Sequence, residues 1–551
     1  MKIPMDAIGL LLDQLSETLP ETRSQLRRLK TTVASQTRAP LLRNDVLLSR
    51  YRLDIVQGRR RRDPRIEQLL TLNTIRSESG IATVTVITKP YPCPGRCVYC
   101  PTEARAPKSY LTNEPAMRRA VRHDYDPYRQ MSSRLEALEE TGHATDKIEL
   151  IIKGGTWSFY PEDYQDWFIQ RCVEAANEFK GQATSDKQHV PCPMSHVPCS
   201  LEEAQRRNET AAHRIVGMTI ETRPDYISEQ EIRRLRMLGV TRVELGVQSL
   251  NERVLELIVR DHTTREVREA TRLLREAGFK IAYHLMPNLP GATPEEDLET
   301  FRQLFADAAY RPDAMKIYPC VVIESAELYR WWQEGRHQPY DETTLIELLA
   351  QMKAMVPPYL RIERVIRDIP STSIAAGCKT TNLRETVLQR LRERGVACRC
   401  IRCRQVRQDA TGSFVLRRLD YDAGKGREVF LSFEDPSTDR LAAFLRLHVP
   451  RAPDHWWEML RGAALIRELH TYGRHLALHD RRDGAAQHQG YGRRLLAEAE
   501  RIAWEEGGCQ RLAVIAGIGA REYYRRFGYE LHETYMVKEL NRQHSALSTQ
   551  H

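Results

Sequence analysis

IATVTVITKPYPCPGRCVYC, residues 81–100, passes from a β-branched run into three cysteines, Cys93, Cys97 and Cys100, set among prolines and a glycine. The run predicts a strand. Five further apolar stretches follow: IELIIKGG from 148, IVGMTIETRPD from 215, RVELGVQS from 242, KIAYHLMPNLPG from 280 and AMKIYPC from 314. Helical patterns such as SEQEIRRLRMLG and TREVREATRLLREAG fill the gaps, the second closing at Gly278 as helices commonly do. Strand, helix, strand at this rhythm predicts parallel βα units, and six of them predict an α/β fold with a partial (β/α)6 barrel rather than a closed eight-stranded one. Each run ends in residues that a hydrophobic core does not need: Gly154, Gly155 and Thr156, then Glu221, Thr222 and Arg223, then Gln248 and Ser249, then His284, Met286 and Asn288. The cysteines fall at that same end, where barrel enzymes assemble their active sites.

With 551 residues the chain exceeds a single core, which stops growing near ~250 to 300 residues, so two or three domains are expected. Its 83 Lys+Arg against 74 Asp+Glu give a net charge of +9. Distribution matters more than size: GRRRRDPR, 58–65, packs Arg59, Arg60, Arg61, Arg62 and Arg65 together, and CRCIRCRQVRQ, 398–408, is a second basic cluster. Such clusters suit phosphate backbones, although a solvated charged loop is the plainer reading of either alone. The first ~75 residues look helical and basic. No apolar run approaches the roughly 20 residues of a membrane span. The N-terminus MKIPMDAIGLLLDQLSETLP carries acids and no cleavage site of small residues, so a cytoplasmic protein is expected. In a reducing compartment twelve cysteines point to metal or redox chemistry rather than a disulfide framework.

Three thiolates spaced C-x3-C-x2-C can hold three irons of a 4Fe-4S cluster, whose cubane otherwise takes four cysteines, and leave the fourth iron open. An open iron can chelate the amino and carboxylate groups of S-adenosylmethionine and pass an electron to its sulfonium. CPGRCVYC, with Tyr99 directly before the last cysteine, resembles the signature of the radical S-adenosylmethionine (radical SAM) superfamily. A zinc site lacking one ligand, or plain core thiols, are the alternatives. IKGGT, 152–156, resembles the superfamily's glycine-rich segment, with Thr156 where an acid is common. That resemblance implies Gly154, Gly155 and Thr156 as contacts of S-adenosylmethionine. Glu221 and Gln248 become partners for its ribose or adenine, with a buried structural role as the alternative for each.

The C-terminal third reads differently. VFLSFED and ALIRELHTYGR predict strands, and QHQGYGRRLLAEAERIAWEEG, 487–507, predicts a glycine-rich turn opening an amphipathic helix with Leu495, Leu496, Ala499 and Ile502 on one face. Gln487, Gln489, Gly490, Tyr491 and Gly492 lie in a match to Q/R-x-x-G-x-G/A, the pyrophosphate turn of the GNAT acetyltransferases. Glycines there let backbone N–H groups approach the pyrophosphate of coenzyme A at the positive end of the helix. RLAVIAG and AREYYRRFGYEL continue the resemblance, which implies an acetyl-CoA site with Tyr523 and Tyr524 near the thioester. It also implies that Glu468, Leu469, His470 and Thr471 lie on the strand that pairs with the pantetheine arm. A fortuitous turn and ordinary core tyrosines are the alternatives.

The pairing of two such domains is rare. SYLTNEPAMRRA, DPYRQ, LEEAQRRNETA, TIETRPDY, ELGVQS, RDIPS, IRELHTYG, QHQGYG and YYRRFGYEL together resemble, collinearly, the family of the catalytic subunit of Elongator. The compact cysteine spacing points to its bacterial or archaeal type, acting without the eukaryotic accessory subunits. The family implies that acetyl-CoA, S-adenosylmethionine and a tRNA with uridine at the wobble position yield 5-carboxymethyluridine, with an electron donor not identified by the sequence. An acetyl methyl group is unactivated, so ordinary acyl transfer would join the wrong carbon. A deoxyadenosyl radical can take its hydrogen, the carbon radical can add to the uracil ring, and thioester hydrolysis supplies the carboxylate. Both pockets must therefore face one shared space. By the resemblance Lys147 contacts acetyl-CoA from the barrel side, with simple solvation as the alternative. His470 is a candidate base or a core histidine. The expected domains are a basic helical tRNA-binding segment over 1–75, the radical SAM barrel over 76–320, a linker and zinc-binding seam over 321–410, and the mixed α/β GNAT domain over 411–551.

ACRCIRC sets Cys398, Cys400 and Cys403 in C-x-C-x2-C spacing at that seam. Structural zinc takes four ligands, and Cys320 is the nearest plausible fourth, with Cys378 and His337 as competitors. A second iron-sulfur cluster and unligated thiols are the alternatives. Cys172, Cys192, Cys199 and Cys509 show no ligand spacing. The tRNA partner draws on Arg59, Arg60, Arg61 and Arg62, the N-terminal helices and the seam, with specificity from an unpaired anticodon loop. Lys108, Tyr110, Arg118 and Arg119 are candidates near the substrate. A homodimer is left open. Two rivals stand beside this reading. A protein-lysine acetyltransferase with a structural iron-sulfur cluster predicts an acidic groove and turnover without reductant, and a scaffold with degenerate sites is opposed by the intact cysteines and turn.

Overall fold

The computed structural model describes residues 5–71, 80–180, 200–406, 412–472 and 490–541. Gln487, Gln489, Cys192 and Cys199 lie outside the described residues. Four N-terminal helices, α1 (Met5–Glu17), α2 (Arg23–Thr37), α3 (Asn44–Val56) and α4 (Pro64–Leu70), close on a core of their own around Leu12, Leu26, Val33, Leu48, Tyr51 and Leu70. Thr22 and Gln25 form a capping box that starts α2. Arg52 donates to the Glu139 carbonyl at 2.6 Å, tying the bundle to the rest of the chain.

The arginine run between α3 and α4 does not face outward as a block. Arg60, with its side chain only 15% exposed, is held by Asp13 at 2.6 Å and Asp54 at 3.2 Å. Arg59 lies 3.5 Å from Asp54, and Arg62 lies 3.1 Å from Glu67. Arg60 is thus tied into the bundle, sharing Asp54 with Arg50 and Arg59, rather than held out as a free cation. Arg61 makes no ion pair among the described residues.

Seven parallel strands form the first sheet in sequential order: β1 (Ala82–Ile87), β2 (Lys147–Lys153), β3 (Arg214–Thr222), β4 (Arg242–Gln248), β5 (Lys280–Leu285), β6 (Ala314–Ile317) and β7 (Arg361–Arg364). The count is one more than the sequence predicts, because β7 reads RIER and is too charged to stand out as an apolar run. Crossover helices cover one face of the sheet. In β2, Ile148, Leu150 and Ile152 are buried, while Lys147, Glu149, Ile151 and Lys153 alternate onto the inner face of the half-barrel. Register carries that face across the sheet, with Glu221 opposite Glu244, Glu244 opposite Ala282, and His284 opposite Lys316.

The second sheet contains β8 (Val415–Ala423), β9 (Gly426–Asp435), β10 (Arg440–Pro450), β11 (Ala463–Thr471), β12 (Arg511–Val514), β13 (Glu530–His532) and β14 (Tyr535–Glu539), in the order β13-β14-β12-β11-β10-β9-β8. Only β11 and β12 pair in parallel. The helix Tyr491–Arg501 buries Leu495, Leu496 and Ala499. One apolar cluster runs unbroken from the first sheet into the second. At the join, a Cβ on Gly517 or Gly519 would overlap Val216 or Arg214, so glycines let the loop after β12 press against the start of β3. Arg467 of β11 reaches the Phe279 carbonyl at 2.7 Å and Asp313 Oδ1 at 3.1 Å. The second sheet thus docks at the amino ends of the barrel strands, opposite the cysteines, which corrects the expectation that the two pockets open directly onto one shared space. Among the described residues no helix is long and apolar enough to cross a membrane.

Candidate active site

Cys93, Cys97 and Cys100 line one cavity at the carboxyl ends of the barrel strands, together with Gly155, Thr156 and Gln248. Val98 anchors their loop, its N–H donating to the Ile258 carbonyl at 3.1 Å and its carbonyl accepting from Leu328 at 2.8 Å. Gly95 lets the Arg223 guanidinium lie close against the loop, where a Cβ would come within 2.5 Å of Nη1. Arg260 Nη1 stands 3.6 Å from Cys97 Sγ, and its other nitrogen donates to the Gly246 carbonyl at 2.5 Å. Gly154, at φ 142°, has no room for a side chain, which would overlap Thr88 Oγ1. Thr156 Oγ1 lies 3.7 Å from Cys93 Sγ. Gln248 and Asn288 hold φ of 68° and 69° at the ends of β4 and β5, left-handed conformations of the kind that gather at functional sites.

These residues fit an iron-sulfur cluster. Among the described residues the thiols that converge within 4.8 Å of one another are Cys398, Cys400 and Cys403, whereas Cys93, Cys97 and Cys100 stand more widely around their cavity than the ligands of a single ion do. The buried Arg260 guanidinium supplies positive charge beside Cys97 for an anionic thiolate-bound group.

Below the cysteines the inner face is ionic. Lys153 Nζ is 2.6 Å from Glu221, which also accepts from the Tyr110 hydroxyl at 2.5 Å. Lys316 pairs with Glu244, and His284 Nε2 lies 2.9 Å from the same carboxylate. Arg242 joins Glu244 at 3.0 Å, Glu363 at 2.6 Å and Glu149 at 3.4 Å. Burial would raise both central carboxylates, but Lys153, His284 and Lys316 together outweigh it at Glu221, while Lys316 and Arg242 hold Glu244 well below the usual range. Glu221, Glu244 and His284 could together hold a metal ion, yet two ammonium groups already balance the two carboxylates. Glu221 is likewise engaged before any ribose approaches. The sequence reading passed over Lys153, Glu244, Arg260 and Lys316, although a charged residue at every second position of an apolar strand was the signal for three of them.

The acetyl-CoA candidates gather on the second sheet. β11 pairs with β12 only from Ala463 to Ile466, while on its other side it stays paired with β10 out to Thr471. Among the described residues its last residues therefore present an open backbone edge. Beside it the helix at Tyr491 begins after Gly490, at φ 71°. A Cβ on Gly492 would lie 2.7 Å from the Tyr523 hydroxyl and 3.9 Å from Thr471 Oγ1, so Thr471, Gly492 and Tyr523 converge on a cradle that a side chain would fill. Tyr524 stands behind them, its buried ring edge-on to Tyr523 at 5.3 Å and to Tyr529 at 5.9 Å. Tyr491 stacks on Phe433 at 4.4 Å. Glu468 pairs with Lys280 and, at 2.9 Å, with Arg446, which makes its side chain part of the join between sheets. His470 packs against Tyr472 and Phe444, with ring centroids 4.3 and 6.1 Å away. Lys147 sits at the amino end of β2, and burial pulls its ammonium below the ordinary value.

The second cysteine group is assembled without Cys320. Facing Cys398, Cys400 and Cys403 is the buried Lys353, whose Nζ lies 3.3 Å from Cys398 Sγ and 3.9 Å from Cys403 Sγ. Cys320 belongs to a different apolar cluster, with Cys97, Val98, Leu289 and Val322, beneath the first cysteine loop. Strand β6 delivers it to the carboxyl end of the barrel, which corrects it as the fourth ligand.

Residues 90–304 match the Radical SAM superfamily, 312–393 the Radical SAM C-terminal domain, and 409–529 the Acetyltransferase (GNAT) family. The chain is 48% identical over 473 residues to a tRNA uridine(34) acetyltransferase of Dehalococcoides mccartyi, covering 85% of this chain and 99% of that protein. It is 40% identical over 488 residues to Elongator complex protein 3 of Homo sapiens, covering 86% of each. The structure of archaeal Methanocaldococcus infernus Elp3 with an N-terminus deletion (1–46) is similar at a TM-score of 0.71 and 43% identity, covering 84% of this chain and all of that one.

Proposed function

Because this chain belongs to the family of the tRNA uridine(34) acetyltransferases and Elongator complex protein 3, we propose that it forms 5-carboxymethyluridine at the wobble position of tRNA from acetyl-CoA. The observation that carries the reading is the presence, in one chain, of a three-cysteine cavity at the carboxyl ends of the barrel strands and a GNAT strand edge left unpaired among the described residues. Cys93, Cys97 and Cys100 would hold a 4Fe-4S cluster, with Gly154, Gly155, Thr156 and Gln248 around S-adenosylmethionine. Bound there, the two supply a deoxyadenosyl radical able to take a hydrogen atom from the acetyl methyl group. Arg260 offsets charge at Cys97. On the other sheet, the backbone of residues 468–471 pairs with the pantetheine arm, the turn from Gln487 to Gly492 takes the pyrophosphate, and Tyr523 orients the thioester. Lys147 approaches the same ligand from the barrel side.

The exposed arginines of α2, Arg27 and Arg28, and Arg61 beyond it take up tRNA phosphates. Structural zinc at Cys398, Cys400 and Cys403 belongs to the same reading; these are three ligands, and the Lys353 ammonium that faces them has no lone pair to give and acts as a counter-charge rather than a fourth ligand. Metal analysis should find one zinc per chain that survives Cys97→Ala and is lost in Cys400→Ala.

The experiment that tests the function uses anaerobically reconstituted protein, dithionite, S-adenosylmethionine, carbon-labelled acetyl-CoA and unmodified tRNA, with mass spectrometry of the digested nucleosides. Labelled 5-carboxymethyluridine, abolished by Cys97→Ala, is the expected result. Label on protein lysine, indifferent to Cys97→Ala, would replace this reading with that of a lysine acetyltransferase.

A further inference from the structure

The proposed reaction ends with a thioester, and His284 stands where that thioester has to be opened. Once the acetyl carbon is joined to uridine C5, the thioester carbonyl is one methylene from the ring. The reacting methyl carbon has to reach the radical in the cysteine cavity, at the other end of the strands from the second sheet, so the adduct's thioester is there when hydrolysis begins and the base is sought among the groups lining that cavity. The carboxylates there are committed: Glu114 lies 3.1 Å from Arg367, Glu221 is paired with Lys153, Glu244 with Lys316, and Asp368 with Arg364. His284 lines the same cavity from β5. Its Nε2 lies 2.9 Å from Glu244 of β4, and no hydrogen bond is made to its Nδ1 among the described residues.

We propose that His284, oriented by Glu244, is the general base that activates water to hydrolyse the thioester of the uridine-bound acyl-CoA adduct. The inference rests on the function proposed above. The buried carboxylate accepts the Nε2–H, which leaves the Nδ1 lone pair available to take a proton. Nδ1 takes a proton from water as the water oxygen bonds to the carbonyl carbon. The C–S bond then breaks, and the coenzyme A thiolate leaves with that proton, giving the carboxylic acid and free thiol. Nothing is oxidised or reduced in this step. Burial pulls the imidazole below its ordinary pKa, Glu244 and the more distant Glu221 raise it, and Lys316 lowers it, so the ring stays neutral at physiological pH as a base must. Tyr318 of β6 packs on its edge at 5.5 Å, and Lys153 of β2 completes the charged surroundings through Glu221.

The test is His284→Asn in the reconstituted holoenzyme, with tRNA nucleosides and released 5'-deoxyadenosine both measured. We expect uridine still carrying coenzyme A to accumulate, carboxymethyluridine to form roughly a hundredfold more slowly, and deoxyadenosine release to persist. Wild-type production of carboxymethyluridine would overturn the proposal by showing that another group activates the water. Loss of deoxyadenosine along with both nucleosides would overturn it by assigning His284 to an earlier step. If the wild-type chain makes no modified uridine at all, it is the proposed function that fails. A readout independent of turnover is the His284 imidazole titration followed by NMR in cluster-free protein. Glu244→Gln should lower its midpoint, and an unmoved midpoint would dissolve the pair.

Discussion

Arg467→Met tests how the two sheets are joined, at a point where the cost can be worked out. The guanidinium and Asp313 are both fully buried. Arg467 reaches Asp313 Oδ1 at 3.1 Å, Glu428 Oε2 at 2.8 Å and the Phe279 carbonyl at 2.7 Å. Methionine fills much of the volume but leaves two carboxylates in the interior, and breaking a buried pair by removing one partner costs about 3–5 kcal/mol. Glu428 keeps His448 at 2.9 Å and Asp313 keeps Arg446 at 3.6 Å, so the lower end, about 3 kcal/mol, applies. At about 2 cal/mol/K of unfolding entropy per residue, a chain of 551 residues melting as one unit loses roughly 3 °C. Should the acetyltransferase half melt separately, the fall is larger. Differential scanning calorimetry of the cluster-loaded protein measures it, and Arg467→Met combined with Asp313→Asn should recover part of the loss by removing the stranded charge. A single-variant melting temperature within about 1 °C of wild type would refute the reasoning, because the two carboxylates would then be solvated by some other route.

Three further outcomes follow from the geometry. Gly154→Ala should suppress S-adenosylmethionine cleavage at least tenfold while leaving the visible absorbance of the cluster intact, since the strain falls on the Thr88 contact and not on the cysteines; equal loss of both would put the strain on the cluster loop. Asp297 accepts from Asn288 N–H and the Tyr340 hydroxyl, and burial raises its carboxyl to about 7. The folded state then holds a proton that the unfolded chain has released, so stability falls as pH rises from about 4 to 7, by at most about 4 kcal/mol; denaturant melts of Asp297→Asn should lack that slope. In the arginine run, Arg61→Ala should reduce the slope of log tRNA affinity against log salt by about 1, whereas Arg60→Ala should chiefly loosen the helical bundle, and filter binding with thermal melts separates the two.

The barrel was legible because parallel strands covered on one face by helices read as apolar runs, and strands β1 to β6 all announced themselves in this way. β7 did not, since Arg361, Glu363 and Arg364 leave Ile362 as its single apolar residue. The cysteine loop was legible in full, its spacing being a local property. Its fit to Arg223 and Arg260 was not, because these arrive from β3 and from the segment after the helix Glu252–Leu257. Tyr523 and Tyr524 were indistinguishable as neighbours in sequence, yet successive residues on a helix point about 100° apart, and only one of them can face the turn at Gly492. Cys320 has only its residue type and its place near a seam to mark it as a fourth ligand; the group that faces the thiols is a lysine 45 residues from Cys398, on a helix whose pattern reads as core.

The features that escaped the sequence share one physical origin. A lysine in the middle of a buried strand is expensive unless an acid lies against it, so Lys153 and Lys316 each implied a partner that the linear order could not name. The partners stand 68 residues away at Glu221 and 72 away at Glu244, and across the join Asp313 stands 154 residues from Arg467. Register is what brings them together: once Glu221 lies opposite Glu244 and His284 opposite Lys316, the inner face can only be a network of alternating charge. Satisfied in this way, the network keeps a polar cavity open inside an otherwise apolar barrel. Lining it, one imidazole has a carboxylate on one nitrogen and, among the described residues, no hydrogen bond on the other. That arrangement requires every neighbouring charge to be paired already, and for that reason it becomes visible only after the strands are aligned.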